Sequence, residues 1–233
     1  MKICFNIDDY GYSKSQVDGT IYSFRNGLVN STTAMMTVDD ELIKYGVEKS
    51  KENPDLAIGC HLCITYGTPL TDVKTINTEN GKFKKPKDGN YEAYDEEEIY
   101  KEYKAQLEKY ISVYGHMPTH LDHHHNIQYK TSNIYNAYVR IANDYNLPYR
   151  DPENSVIKYK GLEYEDINMD VFKKFITKDS DESIELACHA AFVDEELYTK
   201  SSYNIMRLNE LKFICSKEAR EYVEQMNVEL IHY

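Results

Sequence analysis

Short β-rich runs alternate with longer helical patterns along the whole 233-residue chain, and this alternation limits the fold more than any other feature. A strand followed by a helix and then another strand returns parallel to the first, so repeated βα units build a parallel sheet with helices over its faces. The strand candidates are residues 3–7, 29–37, 56–65, 119–122, 148–150, 183–188 and 228–232. Several are unbroken apolar runs, as expected when both faces of a sheet are covered. Between them, Val17, Ile21, Phe24 and Leu28 mark one helical face. Ile99, Tyr103, Leu107, Tyr110, Ile111 and Tyr114 mark a longer helix, opened by the acidic run 95–98 that suits a helix N-terminus. Ile134, Tyr138, Ile141 and Tyr145 mark a third, and Leu208, Leu211, Cys215, Ala219, Tyr222 and Val223 a last stripe. Seven or so βα units in a chain of this size predict a closed or partly closed barrel of the TIM type, with residues 1–233 as one domain. The segment 75–90, with Thr-Glu-Asn-Gly and Lys-Lys-Pro-Lys-Asp-Gly, reads as an excursion between a strand and the long helix, bordering a cleft.

Charge and cysteine usage narrow the setting. With 27 Lys and Arg against 39 Asp and Glu, the net charge is −12. An acidic surface without a basic run argues against nucleic acid or an anionic membrane as partner, and for a small neutral or cationic molecule. No stretch approaches the roughly 18 apolar residues of a membrane span, and Met1-Lys2-Ile3-Cys4-Phe5 runs straight into Asn6 without a signal-peptide core, so a cytoplasmic protein is expected. Five scattered cysteines fit a reducing compartment, and the lone Cys60-x-x-Cys63 inside an apolar run reads as buried strand thiols. The 22 tyrosines reflect compositional bias or, where exposed, surfaces for stacking on sugar faces. A homodimer is compatible with a chain of this size.

Chemistry concentrates at strand C-terminal ends, where the loops of a parallel α/β fold converge. Asp8-Asp9 follows the first strand, His61 lies on the third, and His120-Leu-Asp122-His123-His124-His125 follows the fourth. Taken alone, Asp-Asp-x-Gly is a turn with an acidic cap, and a single His61 is a satisfied core histidine. Four histidines within six residues are harder to bury without a ligand. A carboxylate with two imidazoles leaves open positions on a divalent ion for a water and a substrate oxygen. Successive strand residues point to opposite sides, so Asp8 and Asp9 are not equivalent ligands unless the strand has already turned. One can bind metal while the other acts as base.

Several ordered motifs resemble the YdjC-like carbohydrate deacetylases, which include the chitooligosaccharide deacetylases. They are Asn6-Ile-Asp8-Asp9-Tyr-Gly11-Tyr-Ser13, Gly27-Leu-Val-Asn-Ser31-Thr32-Thr33, Gly59-Cys-His61-Leu with Gly67-Thr-Pro69-Leu70, Pro118-Thr-His120-Leu-Asp122-His-His124-His, Ala187-Cys188-His189, and Ser201-Ser-Tyr203 with Arg207-Leu-Asn-Glu210-Leu211. The resemblance spans nearly the whole chain. It implies a deformed TIM-type barrel that removes an N-acetyl group from a small N-acetylglucosamine-containing oligosaccharide, chitobiose-like or its phosphorylated form, by attack of a metal-bound water. By position, Asp9, His61 and His124 match the metal ligands, Asp8 the general base and His189 a general acid near the leaving amine. Arg150 matches a polar position near the pocket and is assigned to substrate binding with His120 and Asp122. One divalent ion is implied: the donor set favours zinc or a similar ion, and the resemblance also allows magnesium. The sequence departs from the family pattern at His123, where a small Ser is common, at Asn126 and Gln128, which replace frequent histidines, and at Ala190-Ala191. His123 and His125 are therefore alternative ligands to His124. Two other readings stay open: a metal-dependent hydrolase of another amide or a phosphoester, and a sugar-binding barrel without turnover.

Overall fold

The computed structural model describes residues 1–162, 167–176 and 180–233. Strand β1 (Lys2–Tyr10) is buried at every position after Lys2. Helix α1 (Lys14–Asn26) follows, started by Ser13, whose hydroxyl accepts from the Gln16 N–H. The remaining elements are β2 (Ser31–Met35), α2 (Asp40–Lys51), β3 (Ala57–Leu62), α3 (Glu96–Tyr114), β4 (Leu121–His123), α4 (Ser132–Asp144), β5 (Lys158–Gly161), α5 (Met169–Phe175), β6 (Ser183–Cys188), α6 (Glu195–Lys200), α7 (Ile205–Ile214), α8 (Lys217–Gln225) and β7 (Glu229–Leu230). The strands form one parallel sheet in the order β4-β3-β2-β1-β6-β5, with β7 paired to the start of β1. Tyr149 extends the sheet past β4 through a parallel bridge to Leu121. From there Arg150 crosses the interior to bond Asp8 on β1 and Glu185 on β6. A side chain can span those strands only because the sheet is rolled, and the fold is a deformed (β/α) barrel of the TIM type.

The acidic run does start α3: the Asp95 side chain accepts from the Glu98 N–H, and Gly115 ends the helix in the left-handed region at φ 78°. Two carboxylates of α3 also pin the excursion that follows β3. Buried Glu102 accepts from the amides of Leu70 and Thr71, and Glu98 from the amide and hydroxyl of Thr75. All five cysteines are thiols outside any disulfide. Among the described residues no helix is long and apolar enough to cross a membrane.

Several expectations need correction. The run 148–150 contributes one bridge rather than a strand, and 228–232 shortens to Glu229–Leu230. Strand β5 was not anticipated because Lys158-Tyr-Lys-Gly161 is a polar, half-exposed edge without a buried face to pattern it. Helix α2 was also missed, although Leu42, Ile43 and Val47 do mark a buried face. The stripe from Leu208 to Val223 is two helices broken at Cys215–Ser216, and Leu208 is exposed. The buried positions of α7 are Arg207, Glu210, Leu211 and Ile214.

Gly19 tests how tightly the layers meet. In the middle of α1, helix propensity alone would make Gly19→Ala stabilising by about 1 kcal/mol. A Cβ there would stand 2.4 Å from the Phe192 nitrogen and 2.6 Å from the Ala191 Cα, both backbone. Overpacking typically costs about 1–3 kcal/mol, and backbone cannot swing aside as a side chain does. Gly19→Ala is therefore expected to lower stability in urea unfolding, and a gain would show that the contact relaxes freely.

Candidate metal centre and active site

The rolled sheet brings the strand ends together. β3 and β4 pair with His61 opposite Asp122, so the His61 Nδ1 lies 2.6 Å from Asp122 Oδ1. Thr33 on β2 donates to the other Asp122 oxygen at 2.8 Å. The second His61 nitrogen, Nε2, faces Asp9 Oδ1 at 3.1 Å and His124 Nδ1 at 3.3 Å, and His124 Nδ1 lies 2.7 Å from Asp9 Oδ1. Each of these three residues is no more than 4% exposed.

Adjacent Asp8 and Asp9 share this interior because β1 has turned. Its register with β2 shifts between Ile7 and Tyr10, and Asp9 adopts φ 69°, left-handed and uncommon for a residue other than glycine. His125 and Asn126 are also left-handed, at φ 63° and 50°. Such strain costs on the order of 1–3 kcal/mol per residue and gathers at functional sites. Here it flanks the same three donors.

The two carboxylates have different partners. Asp8 takes a bidentate pair of hydrogen bonds from Arg150, Nη1 to Oδ2 and Nη2 to Oδ1, both 2.7 Å, and a third from Asn6 at 2.8 Å. The free Oδ2 of Asp9 accepts from Arg207 Nη2 at 2.7 Å. Burial works against an ionised Asp9, but the facing His124 and Arg207, with the hydrogen bond from His61, hold its carboxyl well below the usual carboxylate range. Burial would likewise lower His61, yet the Asp122 carboxylate overcomes it and raises the imidazole to about 10. For His124 burial prevails and the pKa falls.

Charge balance and geometry both fit a divalent cation. Asp8, Asp9 and Asp122 are buried against two guanidiniums, Arg150 and Arg207, so that once His61 is neutral, as ligation requires, the centre carries an excess of negative charge even without Glu185, whose carboxyl pKa burial raises. Donors bound to one ion at about 2.1 Å stand about 3.0–3.4 Å apart in octahedral or tetrahedral sites, close to the separations here. Asp9, His61 and His124 could hold such an ion, and Asp8, His61 and Asp122 form a second acidic group around the same imidazole. In the second group Arg150 already occupies the carboxylates, so the first is the better cradle.

The alternative ligands are engaged elsewhere. His123 has Nδ1 on the His124 carbonyl at 2.8 Å and Nε2 on the Tyr103 hydroxyl at 2.6 Å. His125 is exposed, its ring centroid 3.8 Å from that of His124 and tilted by 40°, and it is bonded through Nδ1 to Thr65 at 2.9 Å. The three residues expected to touch substrate are enclosed instead. Arg150, Asp122 and His120 are all 0% exposed. Asp122 orients His61, Arg150 clamps Asp8, and His120 stacks on Tyr233 at 4.2 Å, because inward positions on β4 and beside it face the barrel core rather than its mouth.

His189 lies just past β6, its ring 5.4 Å from Tyr203 and its Nδ1 buried with no hydrogen-bond partner. Its backbone N–H donates to Glu210 at 2.6 Å. Arg207 and Glu210 were missed as site residues. They sit three apart on α7, at the positions that the apolar residues of its buried face would continue, and charged residues in such places are the legible sign. Arg207 Nη1 is likewise buried without a partner. Tyr12 and Tyr66 stack at 4.6 Å beside this centre, Tyr66 edge-on to His124. Both line a cleft of about 280 Å³ that Lys82, Phe83 and Lys85 of the excursion border.

The relatives agree with this architecture. A carbohydrate deacetylase of Clostridium beijerinckii is 33% identical over an alignment covering this whole chain and 99% of the relative. A chitooligosaccharide deacetylase of Yersinia enterocolitica is also 33% identical, with 98% of this chain and 96% of the relative covered. A crystal structure from Enterococcus faecalis V583, of a protein given a provisional role in cellobiose-phosphate cleavage, superposes with a TM-score of 0.90 at 27% identity, covering 100% of this chain and 97% of that one. A family 4 carbohydrate esterase from Streptomyces lividans, in complex with acetate, shares the fold at TM-score 0.51 and 8% identity, covering 99% and 92%. The model of the YdjC-like protein family matches residues 2–225, a range that includes every one of the strand-end residues. The chain belongs to the YdjC-like protein family.

Proposed function

We propose that this protein is a metal-dependent deacetylase, acting on the N-acetyl group of a small N-acetylglucosamine-containing oligosaccharide such as a chitobiose. The observation that carries the reading is the meeting of Asp9, His61 and His124 donor atoms within 3.3 Å, with the Arg150-clamped Asp8 adjoining them in sequence. The names of the 33%-identical relatives support the substrate class. A divalent cation in that cradle would polarise the acetamide oxygen and make a water acidic enough to attack at neutral pH.

The chain's own residues supply the rest. Asp122 holds the His61 Nδ1 so that Nε2 is turned to the cradle, an arrangement that fixes ring orientation and raises basicity. Arg207 holds the outer oxygen of Asp9 in the same way. Asp8 serves as general base, its carboxylate kept in one orientation by Arg150 while it takes a proton from the attacking water. His189 passes a proton to the departing amine nitrogen, and its Nδ1 has no hydrogen bond that would have to break first. The partly exposed Tyr66, backed by buried Tyr12, offers an apolar surface for a sugar ring at the mouth of the cleft.

Incubation with N,N′-diacetylchitobiose and one divalent ion is expected to release acetate. Phosphate release from a phosphoester with no acetate from the chitobiose would overturn this reading. Tight sugar binding without any product would replace it with a binding barrel.

A further inference from the structure

The interior charge chain does not end at Arg150. The guanidinium has two forked edges, and both are taken: Nη1 and Nη2 bind Asp8, while Nε and Nη2 bind Glu185, with Nε 3.1 Å from each Glu185 oxygen and Nη2 2.5 Å from Oε1. Tyr159 covers the guanidinium face at 4.8 Å. Rotation of Arg150 would break both forks at once, so whatever fixes Glu185 also fixes Asp8. Glu185 is itself anchored. Its Oε2 accepts from the Tyr233 hydroxyl at 2.8 Å, and the Tyr233 ring lies flat against His120, 4.2 Å away and tilted by 14°. The segment carrying Tyr233 is tied to the sheet by β7 and by the Asn30 side-chain amide, which donates to the Ile231 carbonyl at 2.6 Å.

We propose that Glu185 and Tyr233 are positioning residues that set the orientation of the Asp8 carboxylate through Arg150. The phenol is the needed partner chemically. Of the two oxygens of buried Glu185, Oε1 accepts from Nη2 at 2.5 Å, whereas Oε2 has from Arg150 only a share of the Nε–H at 3.1 Å and needs a further donor. Tyr233 provides it without adding charge. Losing that donor lets Glu185 turn and Arg150 follow, which moves the base although nothing near the cradle has changed. A displacement of about 1 Å at a reacting group can cost on the order of 10²-fold in rate.

The part of this inference that concerns turnover rests on the deacetylase reading, so the experiment has two readouts. In ¹H–¹⁵N spectra the buried Arg150 Nε–H is expected to shift or broaden in both Tyr233→Phe and Glu185→Gln, and to stay in place in Tyr198→Phe, an exposed tyrosine. With diacetylchitobiose, kcat is expected to fall about tenfold in Tyr233→Phe, the worth of one hydrogen bond to a charged group, and roughly 10²-fold in Glu185→Gln. KM and bound ion per chain should stay at the wild-type values. An unmoved Arg150 signal in Tyr233→Phe overturns the proposal, as does a loss of kcat matched by an equal loss of bound ion or folded protein. Wild type that releases no acetate overturns the deacetylase reading instead, and the Arg150 signal then decides the positioning role alone.

Discussion

Asp8→Asn is expected to lower kcat by about 10²–10⁴-fold while bound metal stays at the wild-type level, because a positioned general base contributes a factor of that size. Asp8 is held by Arg150 through two 2.7 Å hydrogen bonds and lends no oxygen to the group formed by Asp9, His61 and His124. The asparagine is nearly isosteric but presents one amide N–H₂ to the guanidinium where a carboxylate oxygen stood. That loses a charge-assisted hydrogen bond and lowers stability by about 1.5–3 kcal/mol. The buried Arg150 still has Glu185 and Asp122 to neutralise it, so the fold survives. KM should change little, since the substrate does not need Asp8 for its ground-state contacts. Elemental analysis and steady-state kinetics on one preparation separate the two effects. Retained turnover with only lowered stability would make Asp8 a structural partner of Arg150 and leave the base unassigned.

Much of this centre was legible in the sequence, and the reason is geometric. In a parallel α/β fold the strand C-termini converge, so Asp8-Asp9, His61 and the histidine cluster could be placed together from their positions on successive strands. What strand alternation could not supply was the turn of β1. Asp8 and Asp9 should point to opposite sides, and only the register shift with Asp9 at φ 69° brings both inward. The second failure was one of face. His120, Asp122 and Arg150, assigned to substrate binding on the family resemblance, are each 0% exposed, and Asp122 and Arg150 serve other charged groups. Polarity says that a residue needs partners and does not say whether they are substrate or protein. Arg207 and Glu210 failed for the opposite reason. A helix read only for its apolar stripe hides charged residues that occupy the same face, and Leu208, counted as core, is exposed while Arg207 beside it is 3% exposed.

The metal cradle makes the last and largest prediction. One divalent ion per chain is expected in the wild type and essentially none in the His61→Ala, His124→Ala double variant, with activity lost alongside it. Asp9→Asn should behave differently from Asp8→Asn. It removes a charged donor and leaves Arg207 facing a neutral amide, so ion affinity weakens first, and excess metal restores part of the rate. The proton balance gives an independent check. Without the cation, Asp122 raises His61 to about 10, so that imidazole carries a proton at neutral pH. An imidazole must be neutral to ligate, so ion binding at pH 7 must expel that proton. Calorimetry in buffers of different ionisation enthalpy should therefore find close to one proton released per ion. Affinity should rise with pH across the neutral range, by up to about tenfold per unit. Asp122→Asn removes the largest of the causes that raise the pKa, leaving the Asp9 hydrogen bond and the Asp8 charge: proton release at pH 7 should then fall clearly below one per ion, even though the three donors remain. Proton release unchanged in that variant, or ion content unchanged in the double variant, would mean that the cation sits elsewhere and that the facing Asp9, His61 and His124 are an internal ion-pair network.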